Sequence, residues 1–116
     1  MRSNLLIISL VFISCLAGFA SFCLAEEEVY KLTIKEHKFS PEELVVPAGK
    51  KIKISVENLD PTPEEFESYD LNREKIVAAN GKIILFVGPL KSGLYKYFGD
   101  FHLQTAQGRI VAKEND

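Results

Sequence analysis

The stretch LTIKEHKFSPEELVVPAGKKIKISVENLDPTPEEFE, residues 32–67, decides the fold. Leu32 and Ile34 alternate with Thr33 and Lys35, and Ile52, Ile54 and Val56 alternate with Lys51, Lys53 and Ser55. A period of two is the mark of a strand with one buried face. Between these runs, Phe39-Ser40-Pro41 turns the chain, Leu44-Val45-Val46 forms a short strand, and Pro47-Ala48-Gly49 turns it again. Gly49 supplies the positive φ that such a turn demands. Asn58 to Pro63 is loop by composition, and Phe66 marks a fourth segment ending near Leu71.

Outward from this stretch the pattern continues. Tyr30 extends the first strand backwards. Residues 72–81 hold a helical turn at most, closing on Asn80-Gly81. Ile83 to Val87 is a continuous apolar strand, 88–93 a hairpin connection, and 94–98 another strand. Asp100 to Gln107 forms a loop before a last strand over 109–113. Seven or eight short strands at this spacing predict an all-β sandwich or barrel. The expected core is Tyr30, Leu32, Ile34, Phe39, Ile52, Ile54, Val56, Phe66, Leu85, Val87, Tyr95, Tyr97 and Ile110.

Residues 5–25 differ from everything that follows. LLIISLVFISCLAGFASFCLA is almost wholly apolar, follows Arg2, and ends on small residues before Glu26-Glu27-Glu28. This is the pattern of a secretory signal peptide, residues 1–25, leaving 26–116 as one mature domain. Two alternatives stay open: an uncleaved N-terminal anchor, since about 20 apolar residues span a bilayer, and lipid modification at Cys15. Met1, Cys15 and Cys23 are the only sulfur-bearing residues in the chain, so a domain cut after Ala25 has neither disulfide nor thiol. Its core alone must hold it. Removal of Arg2 shifts the formal net charge from −2 to −3. With no basic cluster interleaved with aromatics, nucleic acid is excluded as a partner class.

Connections in an antiparallel sandwich alternate between its two ends. Counting turns places His37, the acidic group Glu64, Glu65 and Glu67, and the pair Asp100 and His102 at one pole. These are the only two histidines in the chain. Imidazole and carboxylate donors suit Cu(II), Zn(II) or iron and serve Cu(I) poorly. Against this stands a plain reading, in which the glutamates are a solvated rim and the histidines satisfy local hydrogen bonds. No G-x-S-x-G nucleophile motif favours a hydrolase.

The order Phe39-Ser40-Pro41, Val46-Pro47-Ala48-Gly49 and a strand ending in Asn58 resembles the first half of a cupredoxin-like domain. Tyr95 to Phe98, the loop with His102, and Gly108 to Val111 resemble its last hairpin. The resemblance implies a Greek-key β-sandwich and a metal site. It also implies that the usual donors are replaced: Glu64 stands at the place of the first His ligand, Gly99 or Asp100 at the Cys, and Ala106 at the Met. Only His102 keeps its family identity, so a thiolate-based blue-copper centre is not expected. The phrase TPEEFES, residues 62–68, is similar to the EfeO-type subgroup of periplasmic, iron-uptake-associated cupredoxin-like proteins. That similarity implies a periplasmic accessory protein binding Cu(II) or Fe through His102, Glu64, Glu65, Glu67, Asp100 and His37. An iron permease or another iron-uptake protein would be its partner, and the membrane would be reached only through that partner or an uncleaved signal. Assistance to iron oxidation is open, with binding favoured over turnover. The competing expectation is a metal-free interaction module whose acidic pole docks on a basic surface.

Overall fold

The alternation read in the sequence becomes packing in β1 (Val29–Lys35) and β4 (Ile52–Asn58), whose Leu32, Ile34, Ile52, Ile54 and Val56 are buried. The computed structural model describes residues 27–115, and the expected signal peptide lies outside them. Nine strands and no helix occur among the described residues. The other strands are β2 (Lys38–Ser40), β3 (Glu43–Pro47), β5 (Glu64–Ser68), β6 (Arg73–Val77), β7 (Lys82–Val87), β8 (Gly93–Gly99) and β9 (Gln107–Lys113). They form a four-stranded sheet, β2-β1-β4-β7, facing a five-stranded sheet, β3-β9-β8-β5-β6.

Each sheet contains one parallel pairing, β1 with β4 and β3 with β9. The chain changes sheet five times, between β2 and β3, β3 and β4, β4 and β5, β6 and β7, and β7 and β8, as a Greek-key sandwich requires. Turn counting takes consecutive strands to run in opposite directions. Its conclusion survives because β1 and β4 run toward the same end, where Leu59 donates its N–H to the Ile34 carbonyl. His37, Glu64 and His102 meet at that end.

The core is nearly the expected one. Tyr30 and Tyr95 are half-buried at its margin, while Leu44, Val46, Leu71, Val77, Ala106 and Ala112 join it. In β7 the continuous apolar run resolves into buried Leu85 and Val87 with exposed Ile84 and Phe86. The Lys51 ammonium sits 4.7 Å from the centre of the Phe86 ring and partly covers it. Residues 73–77 are a strand and not a helical turn. Only Val77 of that edge strand is buried, which hid its period behind Arg73-Glu74-Lys75. Each fully buried aliphatic side chain contributes about 1.5–3 kcal/mol, enough to hold a sandwich that has no disulfide among the described residues.

Beneath the site lies an aromatic triangle. Phe39 meets Tyr97 edge-on at 5.0 Å and Phe66 at 6.1 Å, and Phe66 stacks on Tyr97 at 5.1 Å. Along each strand, the residue two positions away lies on the same face. Glu64 stands two before Phe66, and Gly99 two after Tyr97, so both turn inward above the triangle.

Candidate metal centre

Glu64 is the organising residue. Its carboxylate is almost fully buried at the start of β5. Oε1 accepts the N–H of Phe101 at 2.8 Å and that of Glu65 at 3.0 Å, while Oε2 lies 2.6 Å from Nδ1 of His102. A buried carboxylate is tolerated only when hydrogen-bonded and opposed by a cation or an N–H. Here two backbone N–H groups and one imidazole supply that.

The space for this carboxylate is made by Gly99. A Cβ built there would lie 2.5 Å from Glu64 Cδ, 2.7 Å from Glu64 Oε2 and 2.7 Å from Ala106 Cβ. No side chain at position 99 can coexist with Glu64 in this place. Pairing of Phe66 with Gly99 across β5 and β8 brings the two together. His102 sits in the following loop, whose first turn is closed by its own N–H on the Gly99 carbonyl. The N–H groups of Thr105 and Ala106 then donate to the His102 carbonyl, at 3.2 and 2.9 Å, and fix the backbone from which the ring projects.

His37 comes from the tight connection between β1 and β2. Glu36 and His37 form a two-residue hairpin loop with φ of 53° and 58°, a left-handed pair that non-glycine residues seldom adopt. Asp60 holds it there, accepting the N–H of Glu36 at 2.7 Å and of His37 at 3.0 Å. Burial would push the Asp60 carboxyl up, but those two N–H donors and the nearby imidazoles outweigh it and hold it below its ordinary value. Asp60 is in turn fixed by Asn58, whose amide accepts the Asp60 N–H and donates to the carbonyls of Thr62, Val77 and Ala78.

His37, Glu64 and His102 thus bring one donor atom each to within 4.8 Å of one another. Glu65, Glu67 and Asp100 form a second group and do not join them. The expected single acidic cluster is two clusters, because alternation along β5 sends Glu64 and Phe66 inward and Glu65 and Glu67 to the outer face. Partial withdrawal from water, and then the neighbouring carboxylates of Glu74 and Asp100, raise the Glu65 and Glu67 carboxyls above their usual range. The roles of Asn58, Asp60 and Gly99 in building this site escaped the reading of the sequence. The order Asn58-Leu59-Asp60 after a strand is a turn signal that fits the first two. Nothing local marks Gly99, whose role depends on a side chain 35 positions away.

Comparison with known proteins agrees with the architecture. The cupredoxin-like domain profile matches residues 5–112. The uncharacterized protein RP394 of Rickettsia prowazekii is 51% identical over 84 residues, covering 72% of this chain and 67% of that protein. Among solved structures, auracyanin A, a "blue" copper protein of Chloroflexus aurantiacus, superposes with a TM-score of 0.63 at 15% identity. That match covers 74% of this chain and 98% of auracyanin. Amicyanin of Paracoccus versutus gives 0.60 at 14% identity, over 77% of this chain and 85% of its own. These two likenesses are of fold. With the same two-sheet sandwich and a profile match along nearly its whole length, the chain belongs to the cupredoxin-like domain family.

Proposed function

We propose that this chain is an exported metal-binding protein that holds Cu(II) or an iron ion through nitrogen and oxygen donors alone, as an accessory to iron uptake. The observation that carries the metal reading is the buried Glu64 carboxylate, with Oε2 facing His102 Nδ1 at 2.6 Å. Oε1 is engaged by two N–H groups, so Oε2 and Nδ1 of His102, which face each other, are the donor atoms left to share an ion. One carboxylate and one imidazole suit Cu(II) or iron. A blue-copper centre does not fit, because such centres need a Cys thiolate. The chain has no sulfur after Cys23, and Gly99 and Ala106 stand where the resemblance puts the Cys and the Met.

In the metal-free arrangement Nδ1 and Oε2 share one hydrogen-bonding proton. Coordination requires that proton to leave, so affinity falls as pH falls. Once bound, the ion supplies a positive charge and exchangeable coordination positions. The chain supplies the rest: Gly99 leaves room for the carboxylate, the Phe101 and Glu65 N–H groups hold it, and the aromatic triangle keeps water from beneath. Export is supported by residues 1–25, and the iron-uptake role and a permease partner by the similarity of residues 62–68 to EfeO-type proteins. Periplasmic placement follows from the same two features.

Calorimetric titration of the chain from Glu26 with Cu(II) and with Fe(III) tests the reading. His102→Ala and Glu64→Gln should each weaken binding at least about tenfold, roughly the loss expected of a metal-site residue, and the Cu(II) form should be pale. Undiminished binding by both variants would sink it. The second reading, a metal-free interaction module, draws on the exposed Phe101 and Leu103 that flank His102 beside the Glu65, Glu67 and Asp100 rim. A parent protein that takes up neither ion would favour it.

A further inference from the structure

The rings of His37 and His102 stack, with centroids 3.5 Å apart and planes 13° from parallel. An imidazole ligates through a lone pair lying in its own ring plane. Two nearly parallel planes a ring thickness apart carry lone pairs that run side by side, and they do not converge on one ion. Of the two rings, His102 aims Nδ1 at Glu64, whereas Nδ1 of His37 lies 3.5 Å from Asp60 Oδ2.

The backbone points the same way. Glu36 and His37 both sit in the left-handed region, where Asn-Gly would be the comfortable choice. Asp60 opposes that strain with two hydrogen bonds and is itself anchored by the buried Asn58. A side chain held at such cost over the face of another ring is placed for that contact. Aromatic stacking of this kind adds about 0.5–1.5 kcal/mol beyond buried area, which corresponds to a two- to tenfold effect.

We infer that His37 is a positioning residue and not a ligand: its ring fixes the His102 imidazole against Glu64 and leaves the ion's other coordination positions open. The inference rests on the metal reading for its second half. An ion held by one imidazole and one carboxylate exchanges its remaining ligands readily, which suits transfer to a recipient more than storage.

The test uses the chain from Glu26, whose buried core lies wholly within residues 32–112, as parent, His37→Ala and His37→Phe. Phenylalanine keeps a flat ring and removes both nitrogens. In the metal-free proteins, the His102 ring-proton resonances should carry a stacking shift in the parent and in His37→Phe, and lose it in His37→Ala. With Cu(II), paramagnetic resonance should show coupling to one nitrogen in the parent and in His37→Phe. Affinity should fall about three- to tenfold in His37→Ala and stay within about twofold in His37→Phe. Two coupled nitrogens in the parent, or a Phe variant as weak as the Ala variant, would overturn the assignment. So would His102 resonances that ignore the His37→Ala change. Failure of the metal reading shows differently, as a parent that binds no ion, and the metal-free resonances still decide the stack.

Discussion

Glu64 and Glu67 stand three residues apart on one strand and meet opposite fates. Glu64 points inward, is almost fully buried, and has three partners for its two oxygens. Glu67 points outward and lies across from Glu74 in the β5–β6 ladder, with Glu65 and Asp100 nearby. The interior carboxylate is the better satisfied one, and the surface carboxylates repel. Acidity at this pole is therefore two separate devices, and perturbing each should give opposite signs.

The largest effect should come from filling the space Glu64 uses. Gly99→Ala puts a methyl 2.5 Å from Glu64 Cδ and displaces the carboxylate from its three partners. Overpacking and orphaned donors together should cost about 3 kcal/mol in urea unfolding and abolish the metal affinity. A loss under about 1 kcal/mol would mean that β5 and β8 separate easily.

Removing the interior carboxylate should cost somewhat less. Glu64→Ala leaves the Phe101 and Glu65 N–H groups and the His102 imidazole without their acceptor, for a loss of about 2 kcal/mol. Glu67→Ala, by contrast, should leave stability unchanged or slightly raised. Equal losses for the two variants would erase the distinction drawn from alternation along β5.

Tyr97 sharpens the comparison from inside the core. Its hydroxyl is buried without a hydrogen-bond partner, and burial pushes its pKa far up. Where Glu64 shows a satisfied interior polar group, Tyr97 shows an orphan. Tyr97→Phe should preserve the aromatic triangle and stabilise the fold by about 1 kcal/mol, measured by chemical denaturation. A destabilised variant would reveal a partner for the hydroxyl.

The smallest effect is the pH dependence of the rim. The Glu65 and Glu67 carboxyls titrate above their ordinary value of 4.5, so the folded state takes up protons there more readily than the unfolded chain. Stability gained from them is fully present below that value and is lost as pH rises through the raised folded values. A Glu65→Gln, Glu67→Gln double variant should then melt above the parent at pH 7, with the gap closing as pH falls toward 4.5. Asp60 works in the other direction: its lowered carboxyl supplies stability above its ordinary value of 3.8, lost as pH falls through the lower folded value. A gap that does not close on acidification would put the repulsion elsewhere.

The sandwich was legible because β1 and β4 alternate cleanly and the turns between the apolar segments carry Gly and Pro. The edge strand β6 was not, since a strand with one buried residue has too little period to detect. At the site, the shared pole was legible from turn counting and Glu64 from its place before Phe66. The division of Glu64 from Glu65 and Glu67 was also written in that alternation, since Phe66 inward forces Glu64 inward. The stacking of the two histidines and the room at Gly99 were not, because both arise from segments distant in sequence pressed together by the sheets.

Glu28 near the start of the described chain and Asn115 at its end line the same shallow depression, together with Pro47 and Lys113. Ala48 donates its N–H to the Lys113 carbonyl there, at the end of the sandwich opposite His37 and His102. Entry and exit of the domain share one floor, and the candidate metal centre is its roof. A tether, tag or surface attachment at either end therefore presents the histidine face outward. A short linker joining the two ends would permit a circular permutant opened in the 88–93 connection with the metal-facing loops intact.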